Sequence, residues 1–260
     1  MTAYDLPSVI EVDVDGPVRV VRLNRPEHLN ATNHELHKAL ADLFPQIDAD
    51  TGARAVVLTG NGRAFSAGGD FDYLGALASD TNLRHETLED GRRIVVNMVR
   101  CRVPLIAAVN GPAVGLGCSL VALSDIVFMA ENAYLADPHV LLGLVAADGG
   151  PVTWPLLTSL HLAKEYALTG ERIPARRAAE IGLANHVCAD EEVLEQALGC
   201  ARRIAALPQG AAEDTKRILN LQLERAVLST LDFALAAEYR SFDSKELRAS
   251  LERPPGSRRS

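Results

Sequence analysis

The sequence predicts an α/β protein, in which strand–strand–helix units are followed by a part that is nearly all helix. Three features carry this. Residues 9–15 and 18–23 read as adjacent strands, and a helical repeat of apolar residues follows them. Residues 104–125, PLIAAVNGPAVGLGCSLVALSD, place a charge-free strand, a glycine-rich turn and a helix in direct succession. From residue 191 onward the apolar positions keep helical spacing almost to the end.

The elements follow in order. VIEVDVD (9–15) alternates apolar and acidic residues, as a half-exposed strand does. Asp15-Gly16-Pro17 turns the chain and residues 18–23 close a hairpin, which Asn24-Arg25-Pro26 ends. Thr32 is placed as a helix cap, with Glu35 three residues on completing a capping box. Leu36, Leu40, Leu43 and Phe44 form that helix's apolar face. Residues 55–60 are the next strand, followed by the glycine turn in RAFSAGGDFDYL (63–74). Ser79, Asp80, Thr81 and Asn82 read as a mobile segment between short helices, and residues 92–100 as a helix. After the central unit come a strand over 125–130 and an irregular stretch over 133–150. Helices are expected over 151–161, 163–168 and 174–181, then a short strand over 185–188. The last helices run over 191–207, 211–229 and 231–251.

Composition bounds the function. A chain of 260 residues can build one large core, with or without an appendage. Its 48% hydrophobic content and mean hydropathy of +0.05 fit a globular protein. A net charge of −8 argues against a nucleic-acid partner. The basic tail from Arg253 to Arg259 reads as a solvated end. Cys101, Cys118, Cys188 and Cys200 lack metal-ligand spacing and read as reduced packing residues. No apolar run reaches the roughly 18 residues of a spanning helix, and no secretory signal is present, so the expected location is cytoplasmic, without membrane attachment.

The chemistry starts at the glycine turns. A strand, a turn and a helix start leave backbone N–H groups at a positive helix end, which suits an oxygen that gains charge. The same glycines also fit a turn that only relieves a steric conflict. No Gly-Lys-Ser/Thr follows, so the turn is not a Walker loop, and it lacks dinucleotide-fingerprint spacing. The second turn, Gly68-Gly69-Asp70, also follows a strand. Two such turns can supply one N–H each to a single oxygen.

In these stretches the chain resembles the crotonase superfamily, the enoyl-CoA hydratase/isomerases. The matching residues are Asn24 to Ala31, Ala64 to Asp70, Ile106 to Cys118, Ala136-Asp137-Pro138, Gly143-Leu144, Gly149-Gly150 and Leu168 to Ile173. Their order and separations together are specific. The resemblance implies a crotonase-like spiral of ββα units over residues 1–200. It implies a helical segment over 201–260 that makes trimers, as a homotrimer or a dimer of trimers. It implies an acyl-CoA substrate, with coenzyme A as part of that substrate and no metal or redox cofactor.

Carried over residue by residue, the resemblance puts the thioester oxygen between the N–H groups of Gly69 and Leu116, beside Gly115, and makes the intermediate an enolate. It puts His28, Leu29 and Ala31 at the pantetheine and adenine, with Ala67, Gly68 and Asp70 supplying backbone contacts there. Arg25 and Arg253 become phosphate partners; read alone, either is a solvated surface charge. The departures matter more. The two glutamates of a family hydratase are replaced by Ser119 and His139. His139 is a capable base, with an ordinary pKa of about 6.5. Asp148, nine residues on, resembles the partner aspartate of the branch that cleaves β-diketones with water. Asp148 also fits a simple cap for the next helix, and His139 a pocket wall. Asp137 lies nearby without an assigned role. His34, His37, His85, His161 and His186 are placed on helices or surface segments; His34 and His37 have metal-compatible spacing but no third ligand. The expected function is an enoyl-CoA hydratase/isomerase-type reaction through an oxyanion-stabilised enolate, with His139 and Asp148 in place of the glutamates. The alternatives are a hydrolase of β-diketones or thioesters, and a non-catalytic acyl-CoA-binding protein.

Overall fold

The computed structural model describes residues 4–252. The expected hairpin is present: β1 (Ile10–Asp15) pairs antiparallel with β2 (Val18–Leu23), Ile10 opposite Leu23. From β2 onward the main sheet is parallel. It continues through β3 (Ala55–Gly60), β4 (Leu105–Val109), β6 (Ile126–Ala130) and β9 (His186–Cys188). β3 and β4 are buried along their whole length, which is why their sequences are charge-free. A smaller sheet joins β5 (Ala113–Val114), β7 (Tyr134–Ala136) and β8 (Ile173–Pro174). β7 lies in the stretch expected to be irregular. Its three residues are held by partners far along the chain, so no local pattern marks it.

The helices show two corrections. α1 (His34–Ala49) is capped by Asn33, whose side chain accepts from the Leu36 N–H at 3.0 Å. Thr32 is not the cap, because its backbone is taken: its N–H donates to the Gly68 carbonyl and its carbonyl accepts from the Asp70 N–H. The expected mobile segment at 79–82 is instead a one-residue corner between α2 (Phe71–Ser79) and α3 (Thr81–Arg100). The Asp80 N–H closes α2 on the Ala76 carbonyl, and its carboxylate accepts from the N–H groups of Asn82 and Leu83.

Beyond β4 the chain forms α4 (Leu116–Ala122), α5 (His139–Leu142), α6 (Gly150–Leu157), α7 (Leu160–Thr169), α8 (Ala175–Glu180) and α9 (Val193–Ala205). α10 (Gln209–Ala226) does not break where two helices were expected. It widens through a π-type turn at Val227–Leu231 and continues as α11 (Asp232–Ser241), then α12 (Lys245–Leu251). The four cysteines are free and buried, as expected of packing residues. None of the described helices is long and apolar enough to cross a membrane.

The terminal helices fold back over the first half. Phe242 and Leu247 bury against Tyr73 and Leu77 of α2, with Leu144 beneath them. Buried Arg84 of α3 fastens this contact. Its guanidinium donates to the carbonyls of Leu77, Ala78 and Tyr239 and pairs with Asp243 at 3.1 Å. On the other side, buried Lys216 of α10 donates to the Val103 carbonyl at 2.8 Å and pairs with Asp125 at 2.8 Å. Asp125 also accepts from the Leu105 N–H, at the start of β4. Lys216→Met would strand that carboxylate without its cation. Because Asp125 keeps some solvent access, a loss of about 2 kcal/mol is expected, below that of a fully buried pair; urea unfolding at neutral pH checks it, and unchanged stability would refute the role of this pair.

Candidate active site

β3 and β4 are parallel neighbours, so the glycine turns that follow them meet at one edge of the sheet. The backbone there is cross-linked. Ser66 exchanges hydrogen bonds with Pro112 and Val114, while Gly68 and Asp70 are bonded to Thr32. The Gly69 N–H between them makes no hydrogen bond among the described residues. In the second turn Gly115 donates to the Ala136 carbonyl at 2.9 Å, and α4 begins at the next residue without a side-chain cap. The Leu116 N–H is therefore also unpaired, at the positive end of a helix. Gly115 has φ +52° and ψ −123°, which a residue with a side chain resists. A Cβ there would also lie 3.5 Å from the His139 ring.

Gly69 and Leu116 line one small cavity. Tyr73, Leu74, Leu77 and Phe242 make its apolar wall, and His139, Asp148 and Glu238 its acidic end. His139 opens α5, and its Nδ1 is hydrogen-bonded to the carboxylate of buried Asp137, two residues earlier. Its Nε2 lies 3.7 Å from Asp148 Oδ2. Ser119 of α4 donates its hydroxyl proton to Asp148 Oδ1 at 2.8 Å. The two positions at which the family resemblance expects glutamates thus meet on one aspartate.

Asp148 does not cap α6. The cap position is Gly149, without a side-chain bond, so the alternative reading of Asp148 as a helix cap is overturned. Gly149 has φ +133°, and a Cβ there would come within 3.3 Å of Ser119 Cβ. This tight, glycine-only approach is what presses Asp148 against α4.

Burial alone would push the His139 imidazole down, but the charges of Asp137 and Asp148 raise it to about 10. Burial also opposes ionisation of Asp137, yet the His139 charge and hydrogen bond hold that carboxyl below its ordinary range. Burial, with the Asp137 charge, moves Asp148 up; His139 and Ser119 pull it the other way. Glu238, on α11, is raised to about 8 by burial and then by the two aspartates, so it carries its proton at neutral pH. His139 is therefore an imidazolium in the free protein, held between Asp137 and Asp148. Asp137, His139 and Asp148 also offer ligand atoms within 4.8 Å of one another, enough to consider a metal. The His139 nitrogen facing Asp137 is already hydrogen-bonded, so only Nε2 and the carboxylates are free to ligate.

The expected coenzyme A residues cluster near this edge. His28 is exposed, and Leu29 adopts a left-handed conformation beside it. Ala31 and Ala67 are half-buried, and Gly68 is buried. Arg25 is not a free surface charge. It donates to the Ala31 carbonyl and pairs with Asp70 at 3.4 Å, tying the two segments together. Asp70 also caps α2 through the N–H groups of Asp72 and Tyr73. Arg253 lies outside the described residues.

Sequence reasoning missed three groups. Asp137 stood two residues from His139, and that spacing was the available signal. Glu238 had none, since only the return of α11 brings it to the cavity. His37 was taken for a surface residue, but it lines the cavity and burial lowers its pKa to about 4, with a smaller contribution from His34. His85, His161 and His186 are exposed, as expected. By NMR the His139 imidazole is expected to stay protonated through mildly alkaline pH, and to titrate markedly lower in Asp137→Asn. An ordinary histidine titration in the unaltered protein would show that the carboxylates do not control it.

Comparison with known proteins identifies the family. The profile of the family described as enoyl-CoA hydratase/isomerase matches residues 13–254. A probable enoyl-CoA hydratase of Rhizobium meliloti (strain 1021) is 34% identical over 222 residues, covering 85% of each chain. The crystal structure of an enoyl-CoA hydratase/isomerase from Mycobacterium paratuberculosis superposes with a TM-score of 0.93 at 61% identity, over 95% of this chain and 99% of that one. The structure of a beta-diketone hydrolase from the cyanobacterium Anabaena sp. PCC 7120 gives a TM-score of 0.83 at 27% identity, over 92% of this chain and 98% of that one. The sheet, the paired glycine turns and the match along most of the chain place this protein in the enoyl-CoA hydratase/isomerase family of the crotonase superfamily.

Proposed function

We propose that the protein adds water to an enoyl-CoA thioester, using an Asp148–His139 pair where family hydratases use two glutamates. The observation that carries this reading is that His139 and Asp148, the latter held by Ser119 from behind, line the same cavity as Gly69 and Leu116, whose N–H groups have no partner among the described residues. The thioester oxygen accepts from those two N–H groups. Asp148 takes a proton from water as the water oxygen bonds to the β-carbon. The π electrons move to the thioester oxygen, giving an enolate that the two N–H groups stabilise. The His139 imidazolium then protonates the α-carbon. Asp148 is left protonated and His139 neutral, and transfer between them across their 3.7 Å contact restores the starting state. Asp137 holds the ring and keeps it charged.

Arg25, Asp70, His28, Leu29, Ala31, Ala67 and Gly68 frame the coenzyme A end in this reading, with Arg253 as a further phosphate partner. No dedicated cofactor is required by these steps. We also propose a homotrimer or a dimer of trimers, built by residues 201–260. Ile218, Leu219, Leu228 and Phe233 of that segment are exposed in the single chain, apolar side chains that a second copy can cover. Light scattering should give three or six copies; a monomer at micromolar concentration would refute this.

A second reading is a hydrolase, favoured by the likeness to the beta-diketone hydrolase and by the absent glutamates. Water activated at Asp148 would then add to a ring carbonyl, and C–C cleavage would release a free acid. Turnover of crotonyl-CoA, a longer enoyl-CoA, a saturated acyl-CoA and a cyclic β-diketone separates the readings. For the hydratase, Asp148→Asn and His139→Gln are each expected to lower kcat about 10²- to 10⁴-fold. Undiminished hydration in Asp148→Asn would sink the mechanism. Free acid from the diketone favours the hydrolase, and binding of thioesters without any turnover would mean a binding protein.

A further inference from the structure

The proton transfers above leave one polar part of the cavity unused. His37 of α1 lines the same cavity as Tyr73 of α2, and Thr87 of α3 stands between those helices. Neither ring nitrogen of His37 makes a hydrogen bond among the described residues, and Nδ1 is fully buried. A neutral imidazole has one donor and one acceptor nitrogen. Beside it, the Thr87 hydroxyl donates to the Leu83 carbonyl at 2.8 Å, so the Tyr73 hydroxyl must donate to Thr87, which it meets at 2.5 Å. The Tyr73 oxygen is left as an acceptor, with His34 Nδ1 at 3.4 Å. This wall holds an unused donor and unused acceptors, all uncharged.

Among the described residues that line the cavity no cation is left for a carboxylate: the His139 imidazolium already sits between Asp137 and Asp148. The Arg84 guanidinium, also on the cavity, is occupied by three carbonyls and Asp243. A plain alkyl chain would fill the space but leave His37 Nε2, the ring nitrogen that is not sealed off as Nδ1 is, unpaired, which a buried site tolerates poorly. A hydroxyl both donates and accepts, so it satisfies the wall as neither an alkyl group nor a carboxylate does.

We propose that His37 and Tyr73 form a hydrogen-bonding subsite for a hydroxyl on the acyl group, so that the preferred substrate is a hydroxylated acyl thioester and not a simple alkyl one. This rests on the acyl-CoA reading for the position of the acyl chain. Burial keeps His37 neutral at working pH, consistent with an uncharged partner.

The test uses enoyl-CoA esters of four to eight carbons, each as an ω-hydroxy ester and as its alkyl counterpart. Turnover and equilibrium binding are measured with wild type, His37→Leu, His37→Gln and Tyr73→Phe. Wild type is expected to favour the hydroxy ester of at least one length by tenfold or more in kcat/KM; sites built to bond a hydroxyl reject the analogue lacking it by up to about 10⁴-fold. His37→Leu should abolish or reverse the preference, and His37→Gln should retain part of it. A wild-type preference for alkyl esters at every length overturns the proposal, as does an equal loss on both esters in His37→Leu and His37→Gln. If the esters bind without turnover, the reaction reading fails alone. The subsite then stands if wild type binds the hydroxy ester more tightly and His37→Leu does not, and falls if the affinities are equal. If neither ester binds wild type, both readings fall.

Discussion

The contact between the His139 ring and the buried Asp137 carboxylate governs the rest of the site. An imidazole in so buried a place would ordinarily lose its proton. Here Asp137 on one side and Asp148 on the other reverse that tendency. The reversal decides what each neighbour can do. A charged ring holds Asp137 below its ordinary range and partly offsets the burial of Asp148, while burial and the two aspartates outweigh it at Glu238, which is raised to about 8. Any proton moved to or from the cavity is shared among these four groups, so none of them titrates as an isolated residue.

The backbone imposes a second condition. Two turns at adjacent strand ends are cross-linked by backbone hydrogen bonds, yet among the described residues the Gly69 and Leu116 N–H groups have no partner, and both residues line one cavity. Such donors need no reorganisation when charge develops on an oxygen between them. The cross-links also explain why Thr32 does not cap α1: its backbone is spent holding the turn that presents Gly69.

The C-terminal helices complete the enclosure. Arg84 joins the corner between α2 and α3 to α11, and Phe242 closes over Tyr73 and Leu77. The helix that supplies Glu238 is thereby held against the wall that carries Tyr73. The apolar end of the cavity thus depends on two parts of the chain that are separate in sequence. Substitutions at this seam alter cavity shape without touching the reacting atoms.

The strands, the glycine turns and the family were legible in the sequence because their signals are local. Residues 55–60 are an apolar run whose limits the structure reproduces, since a buried parallel strand tolerates no unpaired charge along its length; the limits of 18–23 hold too, with its buried Arg19 paired to Asp50. Gly115 could be read as a turn because its conformation excludes other residues. His139 and Asp148 stood out because they replace or flank positions with a recognisable pattern. What stayed hidden depends on partners distant in the chain. β7 exists only through its pairing with β5 and β8, and Asn33 replaces Thr32 as a cap only because Thr32 is bonded to the turn at Gly68. Whether Asp148 caps a helix or meets Ser119 is a question of how closely Gly149 approaches α4. Local sequence determined the scaffold and nominated the histidine and aspartate; tertiary packing alone decided their charges, because burial and opposing charges act through space across elements that the sequence keeps apart.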